Sequence, residues 1–481
     1  MARLPRQLII MPNRQNFASV LRAVGCGLFV VCASGGLVLP YHALGTETNS
    51  GRETLPLLFW TRADVTDTLG KIEFDAHPLE IETRITGYPN MLYGCEAPRS
   101  DGSAWVYGWQ LLNWLDKTNR ALAIVRCATT DGRTFKDEET VFVRTNMDWQ
   151  GFADLVRRPT DGALFFFTWS PGALHVFRSD SGKDWQQLTN KAYSDHDAMC
   201  VTWDASRSQF LNFQTTLEPL AKHYPDNIGN YRRVLSFRRS TDGVNWEWVS
   251  PPFLNGEKLW KPDADDPIDL EFYRVVAFPH QGRHVMLIVD YVPAPAEANS
   301  RRATTKHGPR YLTEWAVSRD GLNWQRPFRN RDAAEKIIWA PLQGPLVRGG
   351  VLRFYEREGK CASLPADRLF CATCRANGEF STPLFTVPVG GLALNADARW
   401  RPGESPGQAY IMAELRDEQG CVISGYERAK CLFENVDGHA LPLRWGEKNG
   451  SELAGQSVCL RFYLRDARVY GVAARSNATA P

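Results

Sequence analysis

Asp154, Asp197 and Glu271 each stand a similar distance ahead of a turn, at Thr160-Asp-Gly162, Ala205-Ser206 and His280-Gln-Gly282. Residues so placed on equivalent strands of a repeating array point toward one region. Two carboxyl groups facing each other across a glycosidic bond can cleave it. One, protonated, gives its proton to the leaving oxygen, and the other acts at the anomeric carbon as base or nucleophile. A third carboxylate can hold the sugar or raise the acid's pKa by like-charge repulsion. Asn90 or Glu96, Asp269 and Gln343 hold comparable places, and His196 adjoins Asp197. Trp339 falls near the same loops, as do Trp60, Trp149, Trp169 and Trp260; their flat rings suit the apolar face of a sugar, and equally a core. Asp195-His196-Asp197 offers ligands to a metal, but strand neighbours point opposite ways, so at most two converge. A Ser-His-Asp triad lacks the turn sequence that seats its nucleophile. No metal and no redox cofactor is expected.

The elements that must position these residues form an internal repeat. Thr129-Thr-Asp-Gly-Arg-Thr-Phe135 returns as Ser179-Asp-Ser-Gly-Lys-Asp-Trp185, Ser240-Thr-Asp-Gly-Val-Asn-Trp246 and Ser318-Arg-Asp-Gly-Leu-Asn-Trp324. A degenerate fifth copy is Arg375-Ala-Asn-Gly-Glu-Phe380. Asp or Asn before Gly supplies the positive φ of a tight hairpin, and the hydroxyl bonds nearby backbone. Before each copy runs an apolar strand, the last being Leu369–Ala372. Before that lies another hairpin: 91–109, 152–169, 197–213, 272–291 and 345–355. About four strands per unit and five units in succession predict a five-bladed β-propeller over 46–388, all-β in class. A β-sandwich with recurring hairpins is the competing architecture. The inserts 216–231 and 293–309 read as polar loops on one face. After Pro388 short alternating strands, including Ser457–Leu464 and Arg468–Val472, predict a small C-terminal β-sandwich over 389–476.

Arg3, Arg6, Arg14 and Arg22 precede an apolar stretch, Ala23–Leu39, and small residues follow, so residues 1–45 read as an export signal and the mature chain as secreted or periplasmic. No other segment is apolar enough to span a membrane. A net charge of +2 without a basic stripe excludes nucleic acid as a partner. Removing Cys26 and Cys32 with the signal leaves an odd number of cysteines. Cys371-Ala-Thr-Cys374 has no second such pair, so a strand cysteine or a bridge to Cys361 is favoured over zinc.

Three stretches carry a family resemblance: Leu270–Gly282, Gly391–Ala398, and Leu443–Trp445 through Leu453–Phe462 to Val469–Gly471. The chain resembles the family-32 and family-43 glycoside hydrolases. More closely, it is similar to a largely uncharacterised set of secreted planctomycete-type proteins described as family 32-like. The resemblance implies a carbohydrate substrate, with Glu271 as acid and Asp197 orienting substrate or tuning that acid; Asp154 is the nearest candidate for base or nucleophile. Those enzymes open their first blade with an acidic residue. Here that opening is read as Leu58–Asp64, without the expected acidic pair, and Asp64 fits the register poorly. Either Asp154, Glu96 or Asp64 substitutes, or the protein binds carbohydrate without cleaving it. A lyase or sialidase-like enzyme is a third reading.

Overall fold

The computed structural model describes residues 52–475 apart from 114–115, 117–118, 146–152, 171, 190–196, 223–225, 250–258, 294–309, 330–343, 357–358 and 404–406. The export-signal expectation falls outside these residues. So do Trp149, Asp195, His196, Trp339 and Gln343, and most of the insert 293–309. Among the described residues no helix is long and apolar enough to cross a membrane.

Five antiparallel sheets make a five-bladed propeller. Blade one is Leu92–Pro98, Ala104–Leu112, Ala121–Thr129 and Lys136–Arg144. Blade two is Ala153–Arg157, Leu164–Ser170, Ala173–Ser179 and Gln186–Thr189. Blade three is Met199–Asp204, Gln209–Pro219, Tyr231–Ser240 and Glu247–Trp248, with Leu259–Trp260 added to its third strand. Blade four is Glu271–His280, Arg283–Val292, Arg310–Ser318 and Trp324–Gln325. Blade five is Leu346–Arg348, Val351–Tyr355 and Cys361–Pro365, and its outermost strand is Glu80–Glu82 from the other end of the chain.

Both faces of each sheet are covered, so the strands are continuous apolar runs rather than alternating ones. In Leu164–Phe167 the period of two still sorts the side chains. Leu164 and Phe166 pack toward blade one, and Phe165 and Phe167 toward blade three. Each seam between blades is a separate apolar core of this kind.

The recurring turns act as expected in four blades. The Thr129, Ser179, Ser240 and Ser318 hydroxyls accept from the N–H of Gly132, Gly182, Gly243 and Gly321 at 2.8–2.9 Å. Asp242 Oδ1 accepts from the N–H groups of Val244 and Asn245, both at 2.8 Å, and Asp320 makes the same pair of bonds. Each glycine lies against the preceding blade: Gly182 on Tyr107, Gly243 on Phe165, Gly321 on Leu211.

The fifth copy is not such a turn. Asn377 and Gly378 sit within the strand Phe370–Ser381, beside a bulge, and pair with Arg465 and Leu464. That strand was expected in blade five but belongs to the sandwich. The cause is local: a Cβ on Gly378 would lie 2.6 Å from Ile72 and 2.7 Å from Cys374 Sγ, so glycine serves close packing here and not a positive φ.

The sandwich is wound on one long strand, Ser457–Ala474, where two were expected; a bulge with Asp466 at φ 44° joins them. This strand pairs with Phe370–Ser381, Leu392–Asp397 and Tyr410–Arg416, and with Leu57–Leu58 from the start of the described chain. Its core gathers Phe59, Phe380, Phe462 and Trp445, and the indole N–H of Trp445 donates to the Ala413 carbonyl at 2.8 Å. Cys371 and Cys374 are buried free thiols of the sandwich, and Cys361 is one of blade five.

The segment Leu58–Asp64 is therefore not the opening of blade one. It joins the sandwich to blade four. Trp60 is buried against Phe370, and Asp64 accepts from the N–H of Thr61 at 2.8 Å and from Arg283 and Arg319 at 2.9 and 2.7 Å. Blade one opens at Asn90–Leu92.

In the turn of blade two, Gly182 has φ 75° and a Cβ there would lie 2.1 Å from the Tyr107 hydroxyl. Gly102 has φ 81° and open space. Gly102→Ala is expected to cost about 1 kcal/mol of left-handed strain. Gly182→Ala adds an overpacking penalty of roughly 1–3 kcal/mol. Urea unfolding of both variants checks the order.

Candidate active site

The inner strands Leu92–Pro98, Ala153–Arg157, Met199–Asp204 and Glu271–His280 of successive blades lie side by side, so residues at and just ahead of their starts approach one another near the axis. Asn90 lies there, exposed, two residues before the blade-one strand. Asp154 is the second residue of its strand, 4% exposed, and its Oδ2 accepts from the N–H of Val201 in blade three at 2.9 Å. Asp197 is half-buried, just before the blade-three strand.

Opposite them on blade four is Arg274, which the sequence reading did not single out. Burial pulls its guanidinium down to about 10, still cationic at neutral pH, and the charges of Asp154 and Asp197 oppose that pull. The register of blade four slips at Tyr273, a bulge that re-aims the following residue. The freed Tyr273 carbonyl accepts from the Thr215 hydroxyl at 3.1 Å. Cys200 completes this floor; its thiol accepts from the Ala277 N–H at 3.1 Å, and burial holds it protonated.

Glu271 is placed differently from the expectation. It is 0% exposed and lies in the seam between blades three and four. One carboxylate oxygen pairs with Lys222 Nζ, and the other accepts from the Arg233 guanidinium at 2.6 Å and the Arg233 backbone N–H at 3.2 Å. Asp226 balances the second positive charge, at 2.9 Å from Lys222 and 3.2 Å from Arg233. A general acid must offer a proton to bound substrate, and both oxygens of this fully buried carboxyl are taken by Lys222 and Arg233. The blade-three hairpin that carries Lys222 and Arg233 is the insert read as a polar loop. Arg233 also lies over the rings of Tyr273 and Tyr291, 4.9 and 5.8 Å from their centroids, and Tyr311 packs on both tyrosines with 53% exposure.

Glu96 is not at the mouth. It lies far along the blade-one strand and pairs with Arg348 of blade five at 3.1 Å. Asp269 is buried two residues ahead of Glu271. Trp60 and Trp260 are core residues, and Trp169 is half-buried between blades two and three. Among the described residues no three His, Cys, Asp or Glu side chains are placed to hold a metal ion.

A second carboxyl group of note is Asp290, buried on blade four with Oδ1 unbonded among the described residues. Burial and the neighbouring Glu314 push its pKa well above the usual carboxylate range. Glu314 itself pairs with Arg326, which also holds Asp266 through bonds of 2.6 and 2.7 Å.

Neither a protein-family model nor a curated protein sequence matches the chain. Several solved structures resemble it distantly. A family-32 β-fructofuranosidase of Bombyx mori is 10% identical over 82% of this chain and 95% of that one, with a TM-score of 0.34. A β-1,2-mannobiose phosphorylase of Listeria innocua is 11% identical over 65% and 95%, at 0.35. A family-117 glycoside hydrolase of Zobellia galactanivorans is 11% identical over 53% and 75%, at 0.32. At these values no residue role passes from them to this chain.

Two outcomes are expected. Glu271→Gln leaves Lys222 and Arg233 short of one buried anion and is expected to cost about 3 kcal/mol. Calorimetry checks this; an unchanged or higher Tm would argue against the seam role. Asp290 keeps in the folded state a proton that the unfolded chain releases. Its contribution is therefore largest in acid and is lost as pH rises above the ordinary carboxylate range. Asp290→Asn should flatten the fall in stability between about pH 5 and pH 8, measured by urea midpoints.

Proposed function

We propose that this protein acts, after export, on an oligo- or polysaccharide bound at the axial mouth, as a glycoside hydrolase-like enzyme. The observation that supports this most is the placement of Asp154 and Asp197, on adjacent blades, close enough to the buried guanidinium of Arg274 for their charges to act on it. Two carboxyl groups at one mouth are the minimum that glycosidic cleavage requires. Asp197, the more accessible, takes the role of proton donor. Asp154, oriented by the Val201 N–H, takes that of base or nucleophile. Arg274 donates to substrate oxygens. Glu271 fixes the blade-three hairpin beside the mouth and acts as a positioning residue.

A second reading is carbohydrate binding without cleavage. Two features favour it: blade one opens with Asn90, an amide that accepts and donates hydrogen bonds but cannot act as base, and Glu271 is sealed among cations.

Reducing-sugar release on a polysaccharide panel separates the two. Under the first reading the wild type releases sugar, and Asp197→Asn and Asp154→Asn each lower the rate by roughly 100-fold or more. Glu271→Gln then lowers Tm more than it lowers the rate per folded molecule. No release by the wild type, with saccharide still bound, establishes the binding reading.

A further inference from the structure

Three tyrosines stand together where blade four reaches the axial mouth. Glu271, Tyr291 and Tyr311 lie directly opposite one another on three adjacent strands of that blade. Adjacent strands are about 4.8 Å apart, so Tyr311 stands roughly 10 Å out from the inner strand. Tyr273, released from the register by the bulge, joins them: its ring centroid is 5.4 Å from that of Tyr311 and 5.9 Å from that of Tyr291. Tyr273 directly precedes Arg274, so the cluster is continuous with the floor of the mouth. Across the seam, Tyr231 of blade three is 42% exposed and lies two residues from Arg233 on the same face of its strand, roughly 7 Å along.

The propeller does not need aromatic rings at these places. The third strands of blades one and two open with Ala121 and Ala173, where those of blades three and four open with Tyr231 and with Arg310-Tyr311. The cluster rests on the buried charges of Lys222, Asp226, Arg233 and Glu271. Each of the two cations touches both carboxylates, so these charges balance among themselves and leave no net charge beneath the rings. The Arg233 guanidinium lies over Tyr273 and Tyr291, whereas Tyr311 stays 53% exposed. The arrangement is thus a braced aromatic surface, open to solvent and one residue from the axial floor.

We infer that these tyrosines form a shelf for the sugar units beyond the one held at the axial mouth, so that the ligand is a neutral saccharide chain running outward over blade four. This rests on the reading that saccharide binds at the mouth, and adds to it a minimum length and a lack of charge. A tyrosine offers an apolar ring and a polar tip at small entropic cost, which suits the C–H face and the hydroxyls of a sugar together. A short ligand seated at the mouth ends before a ring that stands two strands out, and a longer chain reaches it.

The test uses the full chain. Affinity electrophoresis in gels containing arabinan, inulin, galactan or mannan, with gelatin as control, finds the neutral polymer that retards it. Calorimetry then follows oligomers of that polymer from disaccharide to hexasaccharide. Affinity of the wild type is expected to rise with length. Tyr311→Ser should bind the hexasaccharide roughly tenfold more weakly and the disaccharide equally well, and Tyr311→Trp should restore the rise. Because Tyr311 is exposed, the Tm of both variants should stay near that of the wild type. Asp197→Asn should weaken every length alike. Affinity that does not change with length, or a hexasaccharide bound equally by the wild type and Tyr311→Ser, overturns the shelf and leaves the reading of the mouth standing. Equal retardation in gelatin marks a general apolar surface and likewise overturns the shelf. No retardation in any of the four polymers overturns the reading of the mouth and the shelf with it.

Discussion

A ring of sheets is stable only if its first and last members are tied, because each blade buries its apolar faces against two neighbours. The tie is the short strand Glu80–Glu82 on Cys361–Pro365. Glu82 reinforces it by accepting from Arg353 of blade five and Arg133 in the blade-one turn, both at 2.9 Å. The seam between blades five and one, with Tyr355, Tyr93 and Phe135, exists only while that strand is in place. The convergence of five strand openings on one axis follows from it. So does the site: Asp154 and Arg274 are neighbours only because blades two, three and four are held at a fixed angle.

The blades were legible in the sequence because their turns are made by local chemistry. A hydroxyl, a carboxylate and a glycine within a few residues satisfy their own backbone, as at Ser240–Gly243, whatever lies elsewhere. The same locality misled at Asn377-Gly378, where the glycine answers to Ile72 and Cys374, a contact that no short window contains. The strand Glu80–Glu82 was missed for a related reason. Three residues with one half-buried side chain carry no period, and their partner is at the far end of the propeller.

Site residues divided along similar lines. That Asp154 opens an inner strand follows from counting back from a turn, and it is the second residue of Ala153–Arg157. Counting failed for Glu271, whose direction depends on the extended hairpin of blade three and its cations Lys222 and Arg233. It failed for Glu96, which lies too far along its strand. Arg274 went unnoticed because the residues of an apolar run that face an axis cannot be told from those that face a seam until the bulge at Tyr273 is known. Buried charge at the mouth is thus a property of several blades together. Asp154 and Asp197 sustain a cation that burial would otherwise disfavour.

The closing strand also sets an order of events during synthesis. Residues 80–82 emerge early, yet the strand they pair with is made only after four blades are complete, and the long strand that takes Leu57–Leu58 comes later still. For most of translation the start of the chain has no docking surface, and the faces of blades one and five that will meet remain exposed. A fold with such distant pairings closes slowly and displays sticky edges while it waits.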